Sequence, residues 1–233
     1  MTQAPLRNLL FVMSDQLRWD HLACNGHPSI RTPNLDALAA DGAKFEQFYV
    51  PHAVCSASRA ALLTGAYANR IGIYGALDHS AKHGLNPEET TIAEMLKSKG
   101  YATGMVGKWH LGKSPDKIPA ARGFERDFAL LDGMGSYWDM TNMTALNHTS
   151  VFTEDGKYLT KLPKNYYATE TYTDKMINFI DEGRKDGKPF FAYVSHQAPH
   201  DPYHLPKDWR NRHVGEYDKG WDMVRQERLK KQK

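Results

Sequence analysis

The chain has 233 residues, 41% hydrophobic and 24% charged, which is length and apolar material enough for one large α/β domain with a sizeable core. A formal net charge of +3, with no basic stripe interleaved with aromatics, excludes nucleic acid as the expected partner. Two cysteines, Cys24 and Cys55, exclude a disulfide framework and lack zinc-site spacing, and no apolar run approaches a membrane span.

The first apolar run, Leu9 to Ser14, is too short for a signal-peptide core and has no small-residue cleavage site. It reads as a strand buried on both faces, and a cytoplasmic location is the expectation. "TPNLDALAADG" reads as a helix with Thr32 as N-cap, Pro33 in its first turn, Leu35, Leu38 and Ala39 on one face, and Gly42 as its stop. Residues 43–50, "AKFEQFYV", alternate as a strand should. A helix from Cys55 to Thr64-Gly65 follows, then one from about Thr91 to Lys99 ended by Gly100. "YATGMVGKWHLG" reads as a strand that exits into Lys108-Trp109-His110.

Residues 113–164 have weaker patterning and are expected to form irregular loops on the substrate side. Tyr172, Met176, Phe179 and Ile180 recur at helical spacing, and "FFAYVS" is a strand that exits into His196 and His200. Residues 204–233 read as a polar helix. Helices alternating with short apolar strands predict a mostly parallel sheet covered on both faces. Asp15, Lys108, His110, His196 and His200 all follow the carboxyl ends of predicted strands, the edge where open α/β sheets bind ligands. Trp19, Trp109 and Trp138 read as packing or pocket walls, His196 as a supporting residue, and Cys24 as a residue without a role. The sequons at Asn142 and Asn147 are chance matches.

The stretch "HAVCSASRAALLTG", residues 52–65, carries the chemistry. A helix starting near Cys55 puts Cys55 and Arg59 one turn apart on one face, with Ser58 beside them. Its unpaired N–H groups attract an oxyanion, and the Arg59 fork suits a tetrahedral one such as sulfate or phosphate. Leu62 and Leu63 anchor the helix.

Cys55-Ser-Ala-Ser-Arg59, followed by Leu-Thr-Gly65, resembles the sulfatase signature, in which the cysteine is converted to formylglycine. "LLFVMSDQLRWD", "TPNLDALAADG", "GYATGMVGKWHLG", "PFFAYVSHQAPHDPY" and the tail "YDKGWDMVRQERLKKQK" resemble the same family in order, so the likeness covers nearly the whole chain, which is read as one catalytic domain over 1–233. It implies an alkaline-phosphatase-like α/β fold, here the N-terminal part without the C-terminal subdomain. It also implies hydrolysis of sulfate esters by a metal-activated hydrate of formylglycine at position 55. By residue match, Asp15, Gln16 and the modified Cys55 hold the metal, which is calcium, or magnesium or manganese. Arg59 stabilises the diol, Lys108 contacts sulfate, His110 assists the diol hydroxyl, and His200 contacts the ester and its leaving oxygen. The implied partners are a sulfate-ester small molecule or sulfated glycan and a formylglycine-generating maturase. Ala57 stands where the familiar signature has proline. Gln16 stands where many arylsulfatases have a second aspartate, which leaves open a phosphonate or phosphate monoester hydrolase on the same site. The second half of the metal site is absent from the motifs, which leaves open an inactive, truncated remnant that only binds.

Overall fold

The computed structural model describes residues 7–145 and 147–232, in two units that part after Pro202. The first unit is built on a six-stranded sheet in the order β1-β6-β2-β3-β4-β5. Its strands are β1 (Leu9–Ser14), β2 (Ala102–Lys108), β3 (Arg126–Leu130), β4 (Phe152–Glu154), β5 (Lys157–Tyr158) and β6 (Phe190–His196). β1, β6, β2 and β3 run parallel, and β4 and β5 add antiparallel to β3. All four parallel strands therefore deliver their carboxyl ends to one edge.

The pleat divides the sheet's side chains between two cores. Met105, Ala129, Phe191 and Tyr193 point to one face, where they meet α2 (Cys55–Thr64) and α3 (Ile92–Ser98). Val106, Phe128, Leu130, Ala192 and Val194 point to the other, under α4 (Ala168–Gly183), whose Tyr172, Met176 and Phe179 have the spacing read from the sequence. The expected mostly parallel sheet with helices on both faces is present. α3 opens with a capping box: the Thr91 hydroxyl accepts from the Glu94 N–H, and the Glu94 carboxylate accepts from the Thr91 N–H.

Four local expectations need correction. β1 is an edge strand whose Leu9, Leu10, Phe11 and Val12 are all exposed, because it pairs with β6 on one side only and α2, α3 and α4 cover the strands beyond. Residues 43–50 form no strand; Phe45, Phe48, Tyr49 and Val50 stand in solvent, and an alternating pattern without an adjacent ladder has no partner for its backbone groups. Residues 113–164 are not all loop, since β3, β4 and β5 lie there. β3 hid because it begins Arg126-Asp127. Asp127 is nevertheless buried, accepting from the Thr153 hydroxyl and the Gly156 N–H. In α1 (Pro33–Asp41), Thr32 makes no side-chain cap; its hydroxyl accepts from the Ala23 N–H and donates to Asp36, and Leu35 and Leu38 are exposed.

The second unit, predicted as one polar helix over 204–233, is two helices, α5 (Lys207–Arg210) and α6 (Trp221–Gln232). Gly215 and Gly220 between them adopt left-handed backbone angles, which interrupt helical propagation. Lys233 lies outside the described residues. Among the described residues, no helix is long and apolar enough to cross a membrane.

Gly107 locks β2 against β6. Its φ is +98°, and a Cβ there would lie 2.0 Å from the Ser195 carbonyl oxygen, a backbone atom that cannot step aside. Gly107→Ala is expected to cost at least ~3 kcal/mol and to lower the melting temperature sharply. A wild-type thermal unfolding curve for this variant would contradict the packing of these two strands.

Candidate active site

Five of the residues singled out in the sequence meet at the carboxyl edge of the parallel strands. Asp15 follows β1, and its N–H donates to the Ala198 carbonyl at 3.2 Å. Lys108 ends β2 and is fully buried, with its Nζ 2.5 Å from Asp15 Oδ2. Arg59, one turn into α2 and 3% exposed, lies 3.2 Å from the same oxygen. Its guanidinium also donates to the Lys108 carbonyl at 2.8 Å and to the Ser195 hydroxyl at 2.5 Å. Ligand atoms of Asp15, Cys55 and His200 lie within 4.8 Å of one another.

Cys55 occupies the first turn of α2, with Val54 providing no side-chain cap. Small residues let α2 come close: Ala57 and Ala60 are fully buried against the sheet. The Ser56 hydroxyl accepts from the Leu77 N–H at 3.0 Å, while the Leu77 carbonyl lies 2.7 Å from His110 Nε2. A carbonyl only accepts, so Nε2 carries the proton. His110 Nδ1, also buried, has no hydrogen-bond partner among the described residues, which leaves a basic nitrogen in the site. His200 has the opposite arrangement. Its Nδ1 donates to the Asp201 carbonyl at 2.7 Å, so Nε2 is the atom free to act on a ligand.

The electrostatics distinguish the groups. Burial alone would raise the Cys55 thiol, but the neighbouring His110 and His200 side chains and the charge on Lys108 outweigh it and bring the thiol down to about 5. Burial likewise opposes ionisation of Asp15, yet Arg59 and then Lys108 hold its carboxyl below the usual range. His200 is raised, chiefly by its interaction with Cys55, so it keeps a proton to higher pH than an ordinary histidine. His196, read as a supporting residue, is lowered by burial and packs beside Tyr172.

Sequence reasoning missed the groups that hold these side chains in place. Ser195 is fully buried and joins Arg59 to the Lys108 carbonyl, to which it donates at 2.8 Å. The β3 exit loop reaches both histidines: a Cβ on Gly133 would sit 2.5 Å from the His110 ring, and the Tyr137 hydroxyl donates to the His200 carbonyl at 2.6 Å. The strand-end rule that found Lys108 would have flagged this loop had β3 been recognised. Gln16, by contrast, is exposed and makes a left-handed turn at φ 65°.

A protein-family model for sulfatases matches residues 7–231. The chain belongs to the sulfatase family. It is 33% identical to an uncharacterized sulfatase of Schizosaccharomyces pombe over 97% of its own length and 44% of the relative's. It is 32% identical to the arylsulfatase of Klebsiella aerogenes, over 95% of this chain and 49% of that one. It thus spans about half the length of these curated relatives. Among solved structures, BT4656 in complex with its substrate D-glucosamine-2-N,6-O-disulfate matches 91% of this chain and 38% of that one, with a TM-score of 0.69 and 32% identity. The fold is the alkaline-phosphatase-like one that the motifs implied.

Sulfatases generally use a metal ion and formylglycine. The residues here fit a hard cation in kind: a carboxylate at Asp15 and, once Cys55 is oxidised, an oxygen at position 55. A calcium ion takes six to eight oxygens, so this set forms one side of such a shell. Both Asp15 contacts to cations go to Oδ2, leaving Oδ1 for a metal.

In the unmodified sulfatase chain, alkylation of Cys55 by iodoacetamide should follow a titration with a midpoint near pH 5. His200→Ala removes a group that stabilises the thiolate, so the midpoint should move upward. Peptide mass spectrometry across pH 4–9, with Cys24 as internal control, reads both (~9 being close to an ordinary thiol). A Cys55 midpoint at the ordinary thiol value of about 8.5 would refute the description of the site.

Proposed function

We propose that this chain carries the sulfate-ester hydrolysis site of an arylsulfatase-type enzyme. Its nucleophile is an oxygen on formylglycine, made from Cys55 by a formylglycine-generating maturase. The supporting observation is the convergence of Cys55, at a helix N-terminus, with two buried cations that face one carboxylate and two histidines in opposite hydrogen-bonding arrangements. Two cations against one carboxylate leave net positive charge, which a sulfate group neutralises.

In this reading Lys108 and Arg59 hold the sulfate and the attacking hydroxyl of the hydrated side chain at position 55. His200 gives its Nε2 proton to the alcohol oxygen as the sulfur–oxygen bond breaks. His110, its Nε2–H committed to Leu77, takes at Nδ1 the proton of the second hydroxyl at position 55, which expels sulfate and restores the aldehyde. Serine or cysteine has no second hydroxyl to lose, and this is the chemical reason to modify Cys55 at all. A divalent cation at Asp15, position 55 and Gln16, calcium by preference for hard oxygens, supplies polarisation of the nucleophile when bound. The substrate is a sulfate-ester small molecule or a sulfated glycan.

Gln16 favours one alternative. An amide in place of a carboxylate leaves the site more positive, which suits the second negative charge of a phosphate monoester; a phosphonate monoester carries the same single charge as a sulfate ester and is distinguished from it only by assay.

The chain isolated from its own host is expected to carry an aldehyde at position 55, read by mass spectrometry of the digested protein. The matured chain should hydrolyse 4-nitrophenyl sulfate with a higher kcat/KM than the matching phenylphosphonate ester, and Lys108→Ala should lower that value by roughly 100-fold or more. An unmodified thiol would overturn the formylglycine reading, and a preference for the phosphonate would transfer the site to that bond. No turnover by an aldehyde-bearing chain, together with no heat of calcium binding, would leave a remnant that only binds.

A further inference from the structure

Three aromatic rings run from the surface to the His200 loop. Trp138 stacks on Tyr167, with ring centres 4.4 Å apart and planes 30° from parallel. Tyr167 lies 6.3 Å from Tyr137 at 32°, and the Tyr137 hydroxyl donates to the His200 carbonyl. Burial falls along the file: Tyr137 is buried, Tyr167 is half-buried, and Trp138 is 42% exposed.

The file is fixed at the backbone. The Trp138 N–H donates to the Ser136 hydroxyl at 3.1 Å, and the Tyr137 carbonyl accepts from the Ala168 N–H at the start of α4 at 2.8 Å. The indole therefore holds its orientation without a bound molecule, and little ordering is needed when a ligand arrives. Trp109, 1% exposed, is used wholly by the core, and its indole N–H donates to the Lys117 carbonyl. Trp138 has Tyr167 behind one ring face and remains open to solvent, in the segment that leaves the carboxyl end of β3.

Resting on the functional reading above, we propose that Trp138, backed by Tyr167, is the platform for the alcohol half of the substrate. It selects sulfate esters carried on a ring, aryl or pyranose, over acyclic alkyl sulfates. A ring sulfated at the catalytic centre lays a flat apolar face on the indole, while Tyr137, buried between the stack and the His200 carbonyl, supports the file from behind. An alkyl sulfate of one or two carbons is held by its sulfate alone.

Calorimetric titration of the unmodified chain at pH 4, where Cys55 is a neutral thiol that leaves the anion site open, tests this with three probes: methyl sulfate, phenyl sulfate and N-acetylgalactosamine 6-sulfate. The ring sulfates should bind about tenfold tighter than methyl sulfate, the scale of one aromatic stacking contact, and should perturb tryptophan fluorescence. Trp138→Ala should bring both ring sulfates to the methyl sulfate level without changing methyl sulfate itself, and Trp138→Phe should keep most of the preference. Equal binding of ring and methyl sulfates by the wild-type chain would overturn the platform while leaving the sulfate site standing. So would a ring preference that survives Trp138→Ala, or an equal loss for all three probes in both variants, which would make the indole a packing element. If none of the probes binds the wild-type chain, the functional reading fails and the platform with it.

Discussion

A buried arrangement of unequal charges organises this molecule. Lys108 and Arg59 are almost wholly out of water, and one carboxylate oxygen of Asp15 faces both. Removing one member of such a group costs about 3–5 kcal/mol, because the remaining charge has no water to turn to. The cluster therefore fixes three separate parts of the chain, β1, β2 and α2, to one point. It also leaves a positive excess at the N-terminus of α2. That excess helps hold Cys55 as a thiolate in the unmodified chain, and the same field would receive an oxyanion in its place. One electrostatic fact thus accounts for the fold at this edge and for the acidity of the thiol, and it is the ground on which an anionic ligand is proposed.

β1 shows how much depends on that point. Its apolar side chains are exposed on both faces, so burial gives the strand little; its ladder to β6 and the Asp15 contacts hold it. Arg59 serves two purposes for the same reason. It neutralises Asp15, and through the Lys108 carbonyl and the Ser195 hydroxyl it pins the first turn of α2 to the ends of β2 and β6. The alanines at 57 and 60 give that helix its close seat on the sheet. The Ala57 that departs from the familiar signature is thus a buried packing residue, not a gap in the chemistry.

Much of this was legible in the sequence because it rests on local rules. A helix beginning at Cys55 puts Arg59 on the same face by periodicity alone, and the strand-end rule gathered Asp15, Lys108, His110 and His200 before any coordinates. What escaped depends on distant partners. β3 begins with charged residues and becomes a strand because Thr153 and Gly156, far along the chain, satisfy Asp127. Residues 43–50 alternate as well as any strand here, yet no neighbouring ladder receives them. Ser195 looked like the last small residue of an apolar strand, and its role depends on an arginine more than a hundred positions away.

The β3 exit loop links the two histidines that the proposed chemistry needs in different states. Gly133 lies against His110 with no room for a side chain, and the Leu77 carbonyl fixes that ring's proton on Nε2. Four residues on, Tyr137 holds the His200 carbonyl, and the Asp201 carbonyl fixes the His200 proton on Nδ1. Two carbonyls, each able only to accept, thus leave opposite ring nitrogens facing the site: Nδ1 of His110, free to take a proton, and Nε2 of His200, which gives one only while the ring carries a second proton. Cys55 supplies the asymmetry, since its hydrogen bond raises His200, whereas His110 Nδ1 has no hydrogen-bond partner among the described residues. Backbone geometry therefore sets which nitrogen of each ring faces the site, the raised His200 retains the proton that the proposed acid needs, and the loop that contacts both rings also carries Trp138. Orientation of the reacting groups and selection of the alcohol half fall to one short stretch of chain.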